Sequence, residues 1–292
     1  MGFLEFLHME ALFEVKMADV IQRASQCYKY LFDELSDPRS RNWMLMDGPG
    51  PILTIVAAYL YFCSYAGPIY MKDRKPYRLK NVMMWYNLFQ IAMSVFLTYR
   101  GIEYIIQTDY RFTCQNIDYS DNPIALTWVS SVWWYFFAKL TELLDTVFFV
   151  LRKKNNQVSF LHLYHHSMMP VLTWYGSKYT PGGQAIPEGT LNSFIHVLMY
   201  TYYFMAGLGP QYQKYLWWKK YLTSLQLIQF CIVLYTNITG LFAENCNYPK
   251  YLNYIVLFNC TAFLYMFGMF YYQNYVKNNK KLTKKLTEQK ES

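Results

Sequence analysis

Apolar residues run along this chain in long uncharged blocks separated by short charged ones. A helical block of roughly 20 apolar residues matches the ~30 Å hydrocarbon core of a bilayer. Seven such blocks are predicted, over 52–71, 81–99, 122–151, 155–177, 189–213, 221–243 and 251–276. Six hold no Asp, Glu, Lys or Arg, and the third carries Lys139, Glu142 and Asp145. The pattern predicts an all-α integral membrane protein with seven transmembrane helices. One membrane domain is expected over 51–276, between a leader (1–50) and a basic tail (277–292).

Composition changes this picture little. The chain is 54% apolar and 20% aromatic. Its mean hydropathy is near zero because its 30 tyrosines score as polar while packing as large rings with one polar tip.

Charge sets the orientation, since basic residues collect on the cytosolic side. Lys72, Arg74, Lys75, Arg78 and Lys80 follow the first block. Arg152, Lys153 and Lys154 follow the third, and Lys214, Lys219 and Lys220 follow the fifth. The tail adds Lys277, Lys280, Lys281, Lys284, Lys285 and Lys290. The alternate connections hold only Arg100, Arg111, Lys178 and Lys250. The C-terminus is therefore expected in the cytosol and the N-terminus across the membrane. The leader carries acidic Glu5, Glu10 and Glu14 and has no uncharged apolar core, so it is not a secretory signal. An amphipathic surface helix over 1–35 and a poorly ordered leader both fit it.

Six cysteines include no CxxC pair, which leaves zinc and thioredoxin-like readings without support. Cys114 and Cys246 fall in non-cytosolic connections, where a bridge and two free thiols are both compatible with the topology. Two sequons occur. Asn237 is expected to lie too close to the membrane for glycosylation, and Asn259 inside a span.

The candidate chemistry lies in polar stripes within the apolar blocks. Ionisable groups at membrane depth are costly and usually line a functional cavity. Lys139, Glu142, Asp145 and Thr146 share one helical face of the third block. His162, His165 and His166 share a face of the fourth, and the chain has only five histidines. His196, Met199, Tyr200 and Tyr203 line the fifth block; Thr223, Gln226 and Gln229 line the sixth. Taken singly, each stripe also suits a packing ion pair or interhelical hydrogen bonds. Together they describe a polar chamber open to the cytosol. Arg152, Lys154 and Lys219 at its mouth fit a phosphate-bearing head group, although each alone also fits the positive-inside pattern. A polyanionic head with a long apolar tail is the description of an acyl-CoA.

Four blocks in order, Lys139-x-x-Glu142-x-x-Asp145-Thr146, His162-Leu-Tyr-His165-His166, His196-Val-Leu-Met199-Tyr200-Thr-Tyr202-Tyr203 and Thr223-x-x-Gln226-x-x-Gln229, resemble the ELO family of very-long-chain fatty acid elongases. The resemblance covers about residues 45 to 280. Gln157, five residues before His162, resembles the branch acting on very-long-chain saturated, monounsaturated and polyunsaturated substrates. The resemblance implies a condensing enzyme of microsomal fatty acid elongation, a very-long-chain 3-oxoacyl-CoA synthase. It joins acyl-CoA and malonyl-CoA to 3-oxoacyl-CoA with release of CoA and carbon dioxide. It implies helices two to seven forming a barrel-like bundle around an acyl-CoA tunnel. It also implies CoA-thioester contacts at Lys139, Arg152, Lys154, Gln157, His162, Lys219, Thr223 and Gln226, and a lumenal disulfide between Cys114 and Cys246. Endoplasmic reticulum residence, a homodimer and association with the 3-oxoacyl-CoA reductase, 3-hydroxyacyl-CoA dehydratase and enoyl-CoA reductase of the cycle are further implications. No bound cofactor, metal or nucleic acid is expected.

No cysteine falls in a polar stripe, so the nucleophile is expected to be an imidazole. The family points to His165, attacking the acyl thioester to give an acyl-imidazole. His162, His166 and His196 would orient it, move protons or stabilise the enolate. Glu142 and Asp145 would set imidazole tautomers, with Tyr203 in support. Two other classes compete. A di-iron membrane desaturase or hydroxylase also carries HxxHH, but it resembles a three-box pattern with about eight histidines. A seven-helix receptor or lipid transporter has no need of an imidazole cluster beside a buried Lys/Glu/Asp stripe.

Overall fold

A computed structural model describes residues 3–277, with side chains from residue 16 onward. The predicted basic tail lies outside the described residues apart from Lys277. Among the described residues, all regular structure is helical.

The leader forms α1 (Phe3–Lys29) and a π-helical turn (Tyr30–Glu34). From Lys16 to Leu31 its residues are exposed. The chain then closes into a strap over 36–48, with Ser36, Asp37, Ser40 and Met46 buried. The first apolar block begins at Pro49, a residue suited to the first helical turn, and comprises α2 (Pro49–Tyr61), a π turn and α3 (Gly67–Met71). The second block is α4 (Lys80–Gln107).

The third block is divided. Asn122 accepts from Ala125 N and caps α5 (Pro123–Thr141), and α6 (Leu143–Leu151) follows after a break at Glu142. The fourth block starts later than expected. Residues Asn155–Gln157 form a 3₁₀ turn, and α7 (Phe160–Tyr179) is capped by Ser159, whose hydroxyl accepts from His162 N at 3.2 Å. Gln157 is thus not on the histidine helix. The fifth block is α8 (Ile186–Leu208), which starts before the predicted segment because Pro187 opens the helix, and it ends at Gly209. The last blocks are α9 (Lys219–Phe242) and α10 (Lys250–Tyr271), with a π turn to Lys277.

Four of these segments are long and apolar enough to cross a bilayer: Pro49–Met71, Lys80–Gln107, Lys219–Phe242 and Lys250–Lys277. The segments that fall short, α5/α6, α7 and α8, are those that carry the predicted charges and histidines. The spans keep large apolar side chains on the outside, among them Trp85, Ile106, Tyr235 and Phe258. Outward apolar faces with polar groups inside are the arrangement of a multi-pass membrane protein.

Helix α4 packs on α5 and α8, α8 on α9, α9 on α10, α10 on α7, and α7 on α5. Helices α2 and α3 lie on α7 and α6. One core cluster, Met46, Ile52, Val56, Phe136 and Trp174, joins the strap to α2, α5 and α7.

Candidate active site

The divided helix α5/α6 supplies the carboxylates. Lys139, Glu142, Asp145 and Thr146 are all buried. Lys139 Nζ donates to both Glu142 oxygens, at 3.0 and 3.2 Å. Burial of a lone charge is costly, and the pairing offsets part of that cost. His196 Nδ1 of α8 comes within 3.1 Å of Glu142 Oε1, yet lies off the angle of a hydrogen bond and is otherwise unpartnered. Asp145 Oδ2 accepts from Tyr200 at 2.7 Å. The expectation that both carboxylates meet imidazoles therefore needs correction for Asp145, whose partner is a phenol. One α8 residue pointed at each carboxylate follows from spacing, since His196 and Tyr200 are one turn apart.

The histidine helix stands beside this row. His162 Nε2 lies 2.9 Å from Thr146 Oγ1. The rings of His162 and His166 are 4.1 Å apart between centroids, and those of His165 and His166 are 5.1 Å apart. His165 also meets Phe263 of α10 edge-on at 5.3 Å.

A cavity of about 250 Å³ begins at His165. Of His162, His165, His166 and His196, His165 alone lines it. The walls are mostly apolar: Leu97, Val132, Met169, Leu172, Val233 and Val256. Away from His165 it is lined by the turn that contains Thr180, Gly182 and Ile186. That turn is held from outside. Gln184 Nε2 donates to Phe112 O at 2.8 Å, its Oε1 accepts from Gln115 N at 3.0 Å, and Tyr110 donates to Gly183 O at 3.0 Å. Gly183 has φ +65°, and a Cβ there would meet the Tyr248 ring at 2.8 Å, so both conformation and space demand glycine. Cys114 and Cys246 are bonded to each other beside this turn, with Cα atoms 5.8 Å apart.

The sequence stripes thus converge in part. Lys139, Glu142, His162, His165, His166 and His196 form one cluster, with Thr223 buried on α9. Gln226 Nε2 lies 4.0 Å from Met199 Sδ, and Gln229 lines the cavity. The Tyr203 ring is 5.9 Å from that of Tyr200 and partly exposed. Arg152 is half-buried with Nη1 3.1 Å from Met83 Sδ. Lys154, Gln157 and Lys219 are exposed. Among the described residues, none of these last four joins the carboxylates or imidazoles by a hydrogen bond or ion pair. No group of three His, Cys, Asp or Glu side chains among the described residues is arranged to hold a metal.

Other residues escaped the sequence reading. Tyr86 and Gln90 of α4 bond to each other at 3.1 Å beneath Tyr200. Tyr135 donates to Asn192 at 2.9 Å, with Lys139 Nζ 5.0 Å from its ring centroid. Glu188 lines the cavity and accepts from Asn237. Glu188, Asn192, His196 and Tyr200 recur every four residues, a signal hidden because the predicted block began one residue after Glu188. Asn237 is buried with its amide also donating to Val233 O at 2.8 Å. Its sequon is closed by burial.

A family model described as ELO: GNS1/SUR4 family matches residues 44–283. The chain belongs to this family. It is 44% identical over 260 residues to a very long chain fatty acid elongase of Aedes aegypti, covering 89% of this chain and 72% of the relative. It is 45% identical over 247 residues to very long chain fatty acid elongase 7 of Rattus norvegicus, covering 84% and 88%. It is 43% identical over 246 residues to very long chain fatty acid elongase 4 of Homo sapiens, covering 84% and 78%. The ELO match starts within the strap and takes in the whole histidine cluster, the cavity and both bonded cysteines.

Proposed function

We propose that this ELO protein is a condensing enzyme of fatty acid elongation. It joins an acyl-CoA to malonyl-CoA, giving 3-oxoacyl-CoA, CoA and carbon dioxide. The observation that carries the mechanism is the position of His165 at the head of the apolar cavity, where an acyl chain would bring its thioester to the imidazole. A ring nitrogen of neutral His165 attacks the thioester carbonyl, the C–S bond breaks, and the thiolate leaves with the imidazole proton as CoA. Covalent capture divides a hard transfer into two easier steps. Malonyl-CoA then loses carbon dioxide, and the electron pair of the broken C–C bond forms an enolate. The enolate carbon attacks the acyl-imidazole, the C–N bond breaks, and the departing imidazolate takes up one proton from solvent, which restores neutral His165. Lys139, Glu142 and His196 supply a fixed charged array in which the enolate oxygen is stabilised. The reaction needs no bound cofactor or metal.

The same reading places seven spans in the endoplasmic reticulum membrane. Helices α4 to α10 would form the barrel, supported by the closed order of their contacts. The disulfide end would be lumenal with the N-terminus, and the basic end cytosolic with the C-terminus. Arg152, Lys154, Gln157, Lys219, Thr223 and Gln226 would hold CoA. A homodimer and the reductase, dehydratase and enoyl reductase of the cycle would be its partners. Against a di-iron oxidase stands the lack of a convergent ligand set among the described residues. Against a receptor or transporter stands the elongase relationship of nearly the whole chain.

Purified protein incubated with a long-chain acyl-CoA alone should gain the mass of the acyl group. The adduct should be absent in His165→Ala and discharged by malonyl-CoA. Product formation without any adduct would replace the covalent route by direct transfer. Neither adduct nor product across several chain lengths would overturn the enzyme assignment.

A further inference from the structure

Helix α2 contributes one polar group to the histidine cluster. Tyr59 OH lies 2.7 Å from Thr146 Oγ1, and Thr146 Oγ1 lies 2.9 Å from His162 Nε2. The close approach that makes this chain of contacts is built into α2 and α3. Gly67 lies against α6 so tightly that a Cβ would sit 2.7 Å from Val150 Cγ1, and the π turn Phe62–Ala66 follows directly after Tyr59 and Tyr61. Such turns often mark functional sites.

The two hydroxyls carry two protons, and their surroundings fix where those protons go. Tyr59 is buried in an apolar cluster with Cys63, Leu143 and Val150, and Thr146 is its sole hydrogen-bond partner among the described residues. Thr146 has only Tyr59 and His162 as partners there. If Tyr59 donates to Thr146 and Thr146 donates to His162 Nε2, both protons are used. If His162 donated through Nε2, either the Tyr59 or the Thr146 proton would be left buried without an acceptor, which proteins avoid. Nε2 is therefore an acceptor, and the proton of the neutral ring is on Nδ1, which unlike the two buried hydroxyls keeps access to solvent.

We propose that Tyr59 is a positioning residue, which acts through Thr146 to hold His162 in the Nδ1–H tautomer and in one rotamer beside His166. The tautomer of a functional histidine is commonly set by the bond its other nitrogen makes. The consequence for turnover rests on the elongase reading above: His162 would present Nδ1–H as a donor and would not serve as a base through Nε2.

The test is nitrogen NMR of ¹⁵N-histidine-labelled protein in detergent, with the His162 signals assigned by their loss in His162→Gln. The wild-type ring should show a protonated Nδ1 and a hydrogen-bonded, unprotonated Nε2. Tyr59→Phe keeps the apolar packing and should give mixed tautomers, as should Thr146→Val. Thr146→Ser should restore the wild-type pattern. In parallel, Tyr59→Phe should lower kcat for condensation by about tenfold with KM for both substrates unchanged, the loss of roughly one hydrogen bond. A protonated Nε2 in the wild type, or an unchanged His162 spectrum in both Tyr59→Phe and Thr146→Val, would overturn the proposal. The spectrum is read without turnover, so absence of elongation would count against the proposed reaction and leave the tautomer assignment standing.

Discussion

At the disulfide end of the helices, connecting segments are tied to helix ends, whereas at the basic end charged side chains are mostly exposed. The strap is anchored by Asp37 N on Lys178 O at 2.8 Å, Ser40 on Ser177 O at 2.8 Å, and Lys178 on Met46 O. Trp174 and Trp133 donate to Leu45 O and Met44 O at 2.8 and 3.1 Å. Gln184 and the Cys114–Cys246 bond complete the closure. At the opposite end, Lys72, Lys75, Lys154 and Lys219 are exposed, and the ties include Lys153 on Lys72 O at 3.0 Å, Lys80 on Leu208 O at 3.1 Å, and Arg74 over the Tyr70 ring. The cavity runs from His165 toward the closed end. On the proposed elongase reading, the tied end would stop an acyl chain and the basic end would receive a charged head. Closure costs conformational freedom, and on that reading it falls where no ligand would have to pass, with exposed charge where a ligand would neutralise it.

This contrast can be broken from either side. The largest effect is expected from Cys114→Ser with Cys246→Ser. The bridge spans 132 residues, and its loss should cost roughly 2–5 kcal/mol, as removal of native disulfides in small domains does. Thermal unfolding in detergent should show a drop that reducing agent reproduces in the wild type and leaves unchanged in the double variant. A stable reduced protein would mean that the hydrogen bonds of Gln184 close this end unaided.

At the other end, Lys219→Ala should raise KM for acyl-CoA about fivefold, the equivalent of ~1 kcal/mol for an exposed charge contact. Unfolding temperature and kcat should hold, and the effect should shrink as salt rises. Equal loss with a CoA-free thioester substrate would remove the phosphate explanation.

The smallest effect concerns pH at the closed end. Burial acts to raise the Asp118 carboxyl, but hydrogen bonds from Ser120 and Asn122 and nearby Arg39 hold it below the ordinary value. A depressed folded value gives stability that is present above the unfolded pKa and lost as pH falls through the folded one. Acidification below about pH 4 should loosen the 108–122 segment slightly, measured as faster backbone hydrogen exchange there. Asp118→Asn should remove that acid dependence.

Much was legible along single elements. The Lys139–Glu142 pair, the histidine face and the one-turn spacing of His196 and Tyr200 are read within one helix, where 3.6 residues per turn decides which side chains share a face. The break at Glu142 and the late start of α7 were not, because each depends on local caps and on charges finding partners across helices. The start of α8 could have been read from Pro187, and with it Glu188 as part of the stripe. Tyr59 could not, since one tyrosine among 30 carries no pattern until Gly67 lets α2 and α3 approach α6.

The sequence by itself determined that the chain is helical, apolar on its outer faces, polar in stripes inside, and basic at one end of the helices. It did so because hydrophobic blocks and helical period are local properties of the chain. Tertiary structure alone decided that His165 rather than its neighbours heads the cavity, that Asp145 meets a phenol, and that the leader becomes a strap over one end. Those outcomes depend on distances between helices far apart in sequence, which packing sets and periodicity cannot encode.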